Sequence, residues 1–347
     1  MTEQTRLKQA LDALTAWYRA GHRDLPWRRT PEPYAVWVSE IMLQQTRVQA
    51  VIPYYERFMA ALPSIPALAE APEEQLLKLW EGLGYYSRVR NLQKAARVIC
   101  REYGGEMPRT YAQLLELPGI GPYTAGAIAS IACGQACPAV DGNVLRVLSR
   151  LFARDWDIKA QTVKRQAERE IEAAMPRDNP GDCNQALMEL GAVVCLPNGA
   201  PLCERCPIAA LCLAKQREMQ QQLPVKTPKK VRPVESRVVC LLWKDGRIAL
   251  RKRPQTGLLA GLWEFPNFLD GEDMQTQLGV TVTDVHPLRT AKHVFTHLEW
   301  HMTGVQAKTA DSGYFTWVTP QQLEQEIALP SAFRAYRAIA LQQLHTD

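Results

Sequence analysis

The sequence predicts a multidomain chain, an all-α half followed by an α+β half, and three observations predict it. Its 347 residues exceed the roughly 100–200 of one ordinary domain. From Leu7 to about Arg217 apolar residues recur at three- and four-residue spacing, whereas after Arg237 the period falls to two. Between these parts runs LPVKTPKKVRPVE, rich in proline and lysine and without an acid before Glu235, which reads as an extended linker. The expected organisation is a helical domain at 1–223, a linker at 224–233 and a second domain at 234–347.

Composition narrows the classes further. With 46% hydrophobic and 22% charged residues, 24 Pro and 20 Gly, the chain is neither collagenous nor largely disordered. Its longest apolar stretches, such as Ala125 to Cys133, fall well short of the roughly 20 residues of a membrane span, and the start MTEQTRLKQA has no apolar signal core. A soluble protein of the cytoplasm is expected, with no membrane partner. The net charge of +5 comes mostly from the linker, and neither half is a polycation, so binding to nucleic acid would require locally placed Arg, Lys and backbone amides.

In chain order, EEQLLKLWEGL, NLQKAARVICREY and TVKRQAEREIEAAM read as amphipathic helices. LELPGIGPYTAGAIA, residues 115 to 129, reads as a helix–hairpin–helix spanning about 110–133, with Gly121 as a cap and Pro122 in the first turn of the second helix. Such a turn offers backbone amides at a helix N-terminus to a phosphate; the alternative is a plain connection. After the linker, RVVCLLWKDGRIALRKR reads as a β-hairpin, HVFTHLEWHMTGVQA and GYFTWVT as strands of a mainly antiparallel sheet, and SAFRAYRAIALQQL as a closing helix.

Several residues stand out chemically. Four of the nine cysteines, Cys195, Cys203, Cys206 and Cys212, form C-x7-C-x2-C-x5-C at the end of the helical half, and no His lies between residues 23 and 285. A compact all-Cys loop with unequal spacings favours a cubane [4Fe–4S] cluster over structural zinc, which usually takes two separated ligand pairs. Glu40 sits in the apolar run YAVWVSEIMLQQT, where burial would raise its pKa and suit a general acid; the alternative is a narrow solvated helix face. Asp141, in AVDGNVLRVLSRLF, is a natural N-cap, and the same helix terminus would keep it ionised for stabilising a cation.

In combination these motifs carry a resemblance. The hairpin LPGIG, an Asp about twenty residues later and a terminal four-Cys loop resemble the helix-hairpin-helix DNA glycosylases of the endonuclease III superfamily. LPWR, VWVSEIMLQQT, GLGYYSRVRNL and VDGNV resemble its adenine-specific MutY branch, and the second half, with GLLAGLWEFP at Gly257 to Pro266, is similar to that branch's MutT/Nudix-like domain. The resemblance implies one [4Fe–4S] cluster on the four cysteines and a monomer acting on double-stranded DNA, in the nucleoid if bacterial, where it excises adenine opposite 8-oxoguanine or G.

It also implies roles for individual residues. Glu40 would protonate adenine N7 and Asp141 would stabilise or capture the oxocarbenium ion, with Tyr123 and Asn143 beside them. Trp27, Arg28, Leu43 and Gln185 would form the adenine pocket. Gln45, with Thr46 adjoining, and Tyr85 would wedge into the base stack, with Arg88 contacting the backbone nearby, while Gly119, Gly121 and Tyr123 belong to the DNA-binding hairpin. Phe295, Thr296 and His297, expected in a strand, would read 8-oxoguanine. Two departures are visible: x7 in place of the family's usual x6 between the first two cysteines, and Thr296 in place of its usual Ser. A Nudix hydrolase would follow GLWEFP with an acidic metal-binding helix, but NFLDGEDMQTQLGV lacks that ligand face, so a recognition module without hydrolase activity is expected.

Two other functions remain in view. A bifunctional glycosylase/lyase needs a lysine amine for its Schiff base, yet no Lys lies between Lys94 and Lys159. A non-catalytic Fe–S DNA-binding protein would need the hairpin and the cysteines but not Glu40.

Overall fold

The computed structural model describes residues 1–225 and 231–342. Residues 226–230 of the linker expected at 224–233 lie outside the described residues, as do the last five residues of the second half. The chain divides into two compact units, one of Met1–Glu70 with Arg90–Pro228 and the other of Ala71–Val89 with Lys229–Asp347.

The first unit is helical. Its opening helix, Glu3–Gly21, begins where the Thr2 side chain accepts from the Thr5 N–H, and Leu7, Ala10, Leu11, Leu14 and Tyr18 form its buried stripe. That stripe packs on the helix Pro180–Val193, which also packs on the helices Gly142–Leu151 and Pro122–Ile131. The central helix can approach so closely because Gly191 has no side chain: a Cβ there would lie 2.5 Å from the Asn143 Cβ.

The helix–hairpin–helix forms as the sequence predicts. Tyr111–Leu115 leads to a turn in which Gly119 has φ +77°, with room only for hydrogen because a Cβ would sit 2.7 Å from the Asn91 Cβ. Gly121 then caps Pro122–Ile131, with Pro122 in its first turn.

The second unit is built on seven strands: β1 (Val234–Lys244), β2 (Arg247–Lys252), β3 (Trp263–Glu264), β4 (Asn267–Leu269), β5 (Thr283–Val294), β6 (Glu299–Lys308) and β7 (Thr316–Val318). Their order is β3-β2-β1-β6-β5, with β4 also on β1 and β7 on β2. The β1–β2 hairpin turns through Asp245-Gly246, both at positive φ, the twist-matched turn of a two-residue hairpin. Pairing is antiparallel except between β1 and β6, which run parallel over ten residue pairs. The closing helix Arg334–Gln342 covers one face, where Tyr336 and Phe333 share a core with Trp300 and Met302.

Two features correct or extend the sequence reading. HVFTHLEWHMTGVQA is not one strand: β5 ends at Val294, the Phe295 N–H donates to the Leu298 carbonyl at 2.9 Å, and β6 starts at Glu299. Phe295, Thr296 and His297 therefore form a hairpin turn. The aromatic and β-branched content favours extended chain on either side, but local propensity does not say where a chain folds back on itself. In addition, the helix Glu73–Leu79 groups with the sheet. Lys78 Nζ donates to the Glu324 and Ile327 carbonyls at 2.6 and 2.9 Å and pairs with Glu81, whose Oε1 accepts from the Leu329 N–H. Among the described residues no helix is long and apolar enough to cross a membrane.

Candidate active site

A cavity of about 490 Å³ opens in the helical unit. Ten of the residues singled out from sequence line it: Glu40, Asp141, Tyr123, Asn143, Trp27, Arg28, Leu43, Gln45, Thr46 and Gln185. They come from five segments because the helices Pro33–Leu43 and Pro122–Ile131 pack together and the helix Pro180–Val193 closes against both Pro122–Ile131 and Gly142–Leu151.

Glu40 lies on Pro33–Leu43, a helix apolar on most of its faces and buried along nearly its whole length. The residue is only 6% exposed. Burial pushes its pKa up to about 7, the nearby charge of Asp141 adds to that rise, and the Tyr123 hydroxyl, donating to Oε2 at 2.6 Å, and the charge of Arg28 counter it only in part. Tyr123 itself is raised well above the usual tyrosine range, first by burial and then by the two carboxylates.

Asp141 is the N-cap of Gly142–Leu151, as its sequence position suggests. Its Oδ1 accepts from the Val144 N–H at 2.8 Å and its Oδ2 from Asn143 Nδ2 at 2.7 Å. Burial nevertheless moves its pKa upward, restrained by those donors and by the charge of Arg146. The helix terminus thus works against a desolvation that the sequence did not reveal. Arg146 continues the chain of contacts, donating through Nη2 to Asn143 Oδ1 at 2.8 Å and to the Gly191 carbonyl at 2.7 Å, and through Nε to the Cys195 carbonyl at 2.8 Å.

Sequence reasoning missed Arg146 and also Glu189, Arg23 and Met188 in the cavity wall. Arg146 and Glu189 each interrupt an apolar helical run, VLRVLS and ALMELG, and that interruption is the signal that picks out Glu40; Arg23 and Met188 carry no comparable mark.

The two wedge candidates share a backbone signature. Gln45, just past the end of Pro33–Leu43, has φ +59°, and Tyr85 has φ +48°. Left-handed backbone at residues other than glycine is uncommon and collects at functional sites. Tyr85, in the second unit, is 49% exposed, and its hydroxyl meets Thr296 Oγ1 at 2.8 Å. Arg88 is half-buried over the Trp80 and Tyr85 rings and donates to the Leu83 and Gly84 carbonyls; burial brings its pKa down to about 10. In the β5–β6 turn, Phe295 anchors edge-on against Trp300, with ring centroids 4.9 Å apart, and leaves Thr296 and His297 exposed. In GLWEFP, Glu264 is buried and spent on Arg251 at 2.7 Å, Arg253 at 2.6 Å and Asn267 at 2.8 Å.

The four cysteines of the terminal loop line one small cavity together with Arg150, Lys215 and Gln220. Two short 3-10 turns, Cys203–Arg205 and Ala209–Leu211, return the last three thiols to it. The longer first spacing is absorbed by a loop with Gly199 at positive φ, closed by the Leu202 N–H on the Val194 carbonyl at 2.9 Å. Arg150 Nη1 donates to Cys195 Sγ at 3.2 Å. Burial raises the pKa of Cys203, Cys206 and Cys212, and the neighbouring thiols raise it further. Four sulfur donors converging on one cavity, three of them disfavoured as free thiolates, are a donor set suited to a cationic group. No three His, Cys, Asp or Glu side chains among the described residues are set around a single-ion position.

Comparison with known proteins gives the family. Residues 38–173 match the HhH-GPD superfamily of base excision DNA repair proteins, and residues 238–338 match the NUDIX domain. The chain is 44% identical over 309 residues to the human adenine DNA glycosylase, covering 74% of this chain and 56% of the human protein, and 37% identical over 396 residues to the mouse adenine DNA glycosylase, covering 93% and 77%. It thus spans little more than half of the human relative's length. A solved structure of endonuclease III trapped as a DNA covalent intermediate aligns at a TM-score of 0.54 with 25% identity, covering 63% of this chain and all of that one. A chain with Glu40 and Asp141 on one cavity of its helical unit, followed by a Nudix-type sheet unit and sharing over a third of its residues with such relatives across most of its length, belongs to the adenine DNA glycosylase family of HhH-GPD base excision repair enzymes.

Proposed function

We propose that the chain is a monofunctional N-glycosylase that binds double-stranded DNA as a monomer, in the cytoplasm at the nucleoid if bacterial. It draws adenine opposite 8-oxoguanine or G out of the stack and hydrolyses its glycosidic bond. One observation carries the reading: the buried Glu40 and the half-buried Asp141 on one cavity differ in their surroundings as an acid and an ion stabiliser must. Glu40 holds its proton up to about pH 7. With Oε2 occupied by the Tyr123 hydroxyl, the acidic proton belongs to Oε1 and is delivered to N7 of the extruded adenine. The C1′–N9 bond then breaks with its electron pair passing to the base, and the positive charge left on the sugar faces Asp141, whose N–H donors favour the carboxylate form. Water completes the hydrolysis.

No lysine is among the residues lining the cavity, which disfavours Schiff-base lyase chemistry. A non-catalytic DNA-binding protein would have no use for a desolvated Glu40. In functional terms the division is the helical catalytic domain 1–223, the linker 224–233 and the recognition domain 234–347. Thr296 and His297 at the β5–β6 turn are the residues that would face 8-oxoguanine, next to the Tyr85 hydroxyl. Cys195, Cys203, Cys206 and Cys212 would hold a [4Fe–4S] cluster, which would tie their loop together, and Arg205 in that loop would offer a cation to a phosphate.

The test is a single-turnover assay on duplexes carrying adenine opposite 8-oxoguanine, G or T. Release from the first two, fastest opposite 8-oxoguanine, is expected. Activity confined to uracil or oxidised pyrimidines, or efficient covalent trapping by borohydride, would overturn the reading.

A further inference from the structure

Glu189 is a carboxylate that base release does not consume, yet its side chain is only 2% exposed in the cavity wall. Its Oε1 accepts from the Arg23 N–H at 3.2 Å and from Arg23 Nε at 2.7 Å, and its Oε2 accepts from Arg23 Nη2 at 2.7 Å and Arg28 Nη2 at 2.8 Å. Arg28 also donates to the Arg23 carbonyl at 3.2 Å, and its guanidinium lies 5.2 Å from the centre of the Tyr18 ring. A residue of the opening helix, a backbone carbonyl and a carboxylate from the central helix thus hold Arg28, which lines the same cavity as Glu40.

We propose that Glu189 is a positioning residue for base release, acting through Arg28: it aims the guanidinium at the extruded base and sets how much positive charge reaches Glu40. The inference rests on the adenine-release reading and concerns a group outside the acid and ion-stabilising pair. The groups that act on Glu40 are Tyr123, whose hydrogen bond favours loss of its proton, Asp141, whose charge opposes that loss, and Arg28, the one positive charge among them, which favours it. Around Arg28 stand Glu189, Arg23 and Tyr18, with His22 stacked on Tyr18 and the Asp182 charge also acting on that phenol. Glu189 partly neutralises Arg28, and Arg23 partly neutralises Glu189, so removing one or the other moves the Glu40 proton in opposite directions.

Three variants read this out in single-turnover rates against pH, with mismatch affinity and circular dichroism measured alongside. Glu189→Gln keeps size but leaves Arg28 uncompensated, so the alkaline fall in rate moves to lower pH by about half a unit, a change typical of one partly buried neighbouring charge. Arg23→Gln, at a side chain 31% exposed, leaves Glu189 wholly to Arg28 and moves the fall to higher pH. Glu189→Asp keeps the charge and the pH of the fall but lowers the maximal rate, because a shorter carboxylate draws Arg28 away from the base. A merely structural role would lower the rate alike at every pH. Shifts of the same sign, or none, in the two Gln variants overturn the proposal. If Glu189→Gln does not fold, an unshifted Arg23→Gln overturns it alone. Failure of the unmodified protein to release adenine would defeat the functional reading instead.

Discussion

Two glutamates on the walls of one cavity end in opposite ionisation states. Glu40 and Glu189 both lie on helices and are 6% and 2% exposed, so desolvation pushes both pKa values up. For Glu40 the hydrogen-bond partner is a neutral phenol, and the value rises to about 7. For Glu189 the burial is outweighed by the hydrogen bonds and charges of Arg23 and Arg28, and the value falls to about 2. Asp141 is raised by burial and restrained by its N–H donors. The difference teaches that burial supplies the tension in such a site, and that partners brought from elsewhere in the chain decide which carboxylate keeps its proton.

The sharpest way to break the comparison is to remove the proton that only Glu40 carries. Glu40→Gln is expected to lower single-turnover adenine release by at least about 10³-fold while leaving mismatch binding within a few-fold, because an amide fills the space but has no acidic proton to give. Wild-type rates in this variant would show that the acid is another group.

The same variant has a stability consequence of definite sign. The folded-state pKa of Glu40 is raised above its unfolded value, so the native state holds a proton that the unfolded chain releases. The resulting penalty is absent below the unfolded pKa, grows as pH rises toward about 7 and is constant above it. Relative to wild type, Glu40→Gln should therefore gain up to about 3 kcal/mol between pH 4 and pH 8. Chemical denaturation of both proteins at the two pH values checks this, and a gain independent of pH would place the Glu40 pKa near its ordinary value. Glu189, depressed, predicts the reverse: its stabilisation is present above its unfolded pKa and is lost as pH falls toward about 2.

The smallest expected effect probes how Asp141 is held. In Gly191→Ala the new methyl would meet Asn143, the side chain that donates to Asp141 Oδ2. Overpacking of this kind costs about 1–3 kcal/mol, and the rate should fall about tenfold through the displaced Asn143 amide, with the alkaline limb set by Glu40 unmoved. A melting temperature and rate equal to wild type would show that the two helices separate freely.

Much of this molecule was legible in the chain because it is encoded locally. The helical period, the change to a period of two at the second half, the glycines of the hairpin, the capping role of Asp141 and the four-cysteine spacing are all short-range features, and backbone sterics and capping chemistry act within a few residues. The oddity of a carboxylate in YAVWVSEIML was equally visible. The fold-back at Phe295–Leu298 was not, because strand propensity is blind to which segment a strand pairs with.

Only the tertiary structure decided the electrostatics. Glu40 meets Tyr123 across 83 positions of sequence and Glu189 meets Arg23 across 166, and the Arg146 contacts with Gly191 and Cys195 tie the helix Gly142–Leu151 to the end of Pro180–Val193. Sequence by itself determined which residue types were present and on which local element each would stand. Whether a given carboxylate became an acid or an anchor depended on the dielectric and the donors around it, which exist only once helices distant in the chain have packed together.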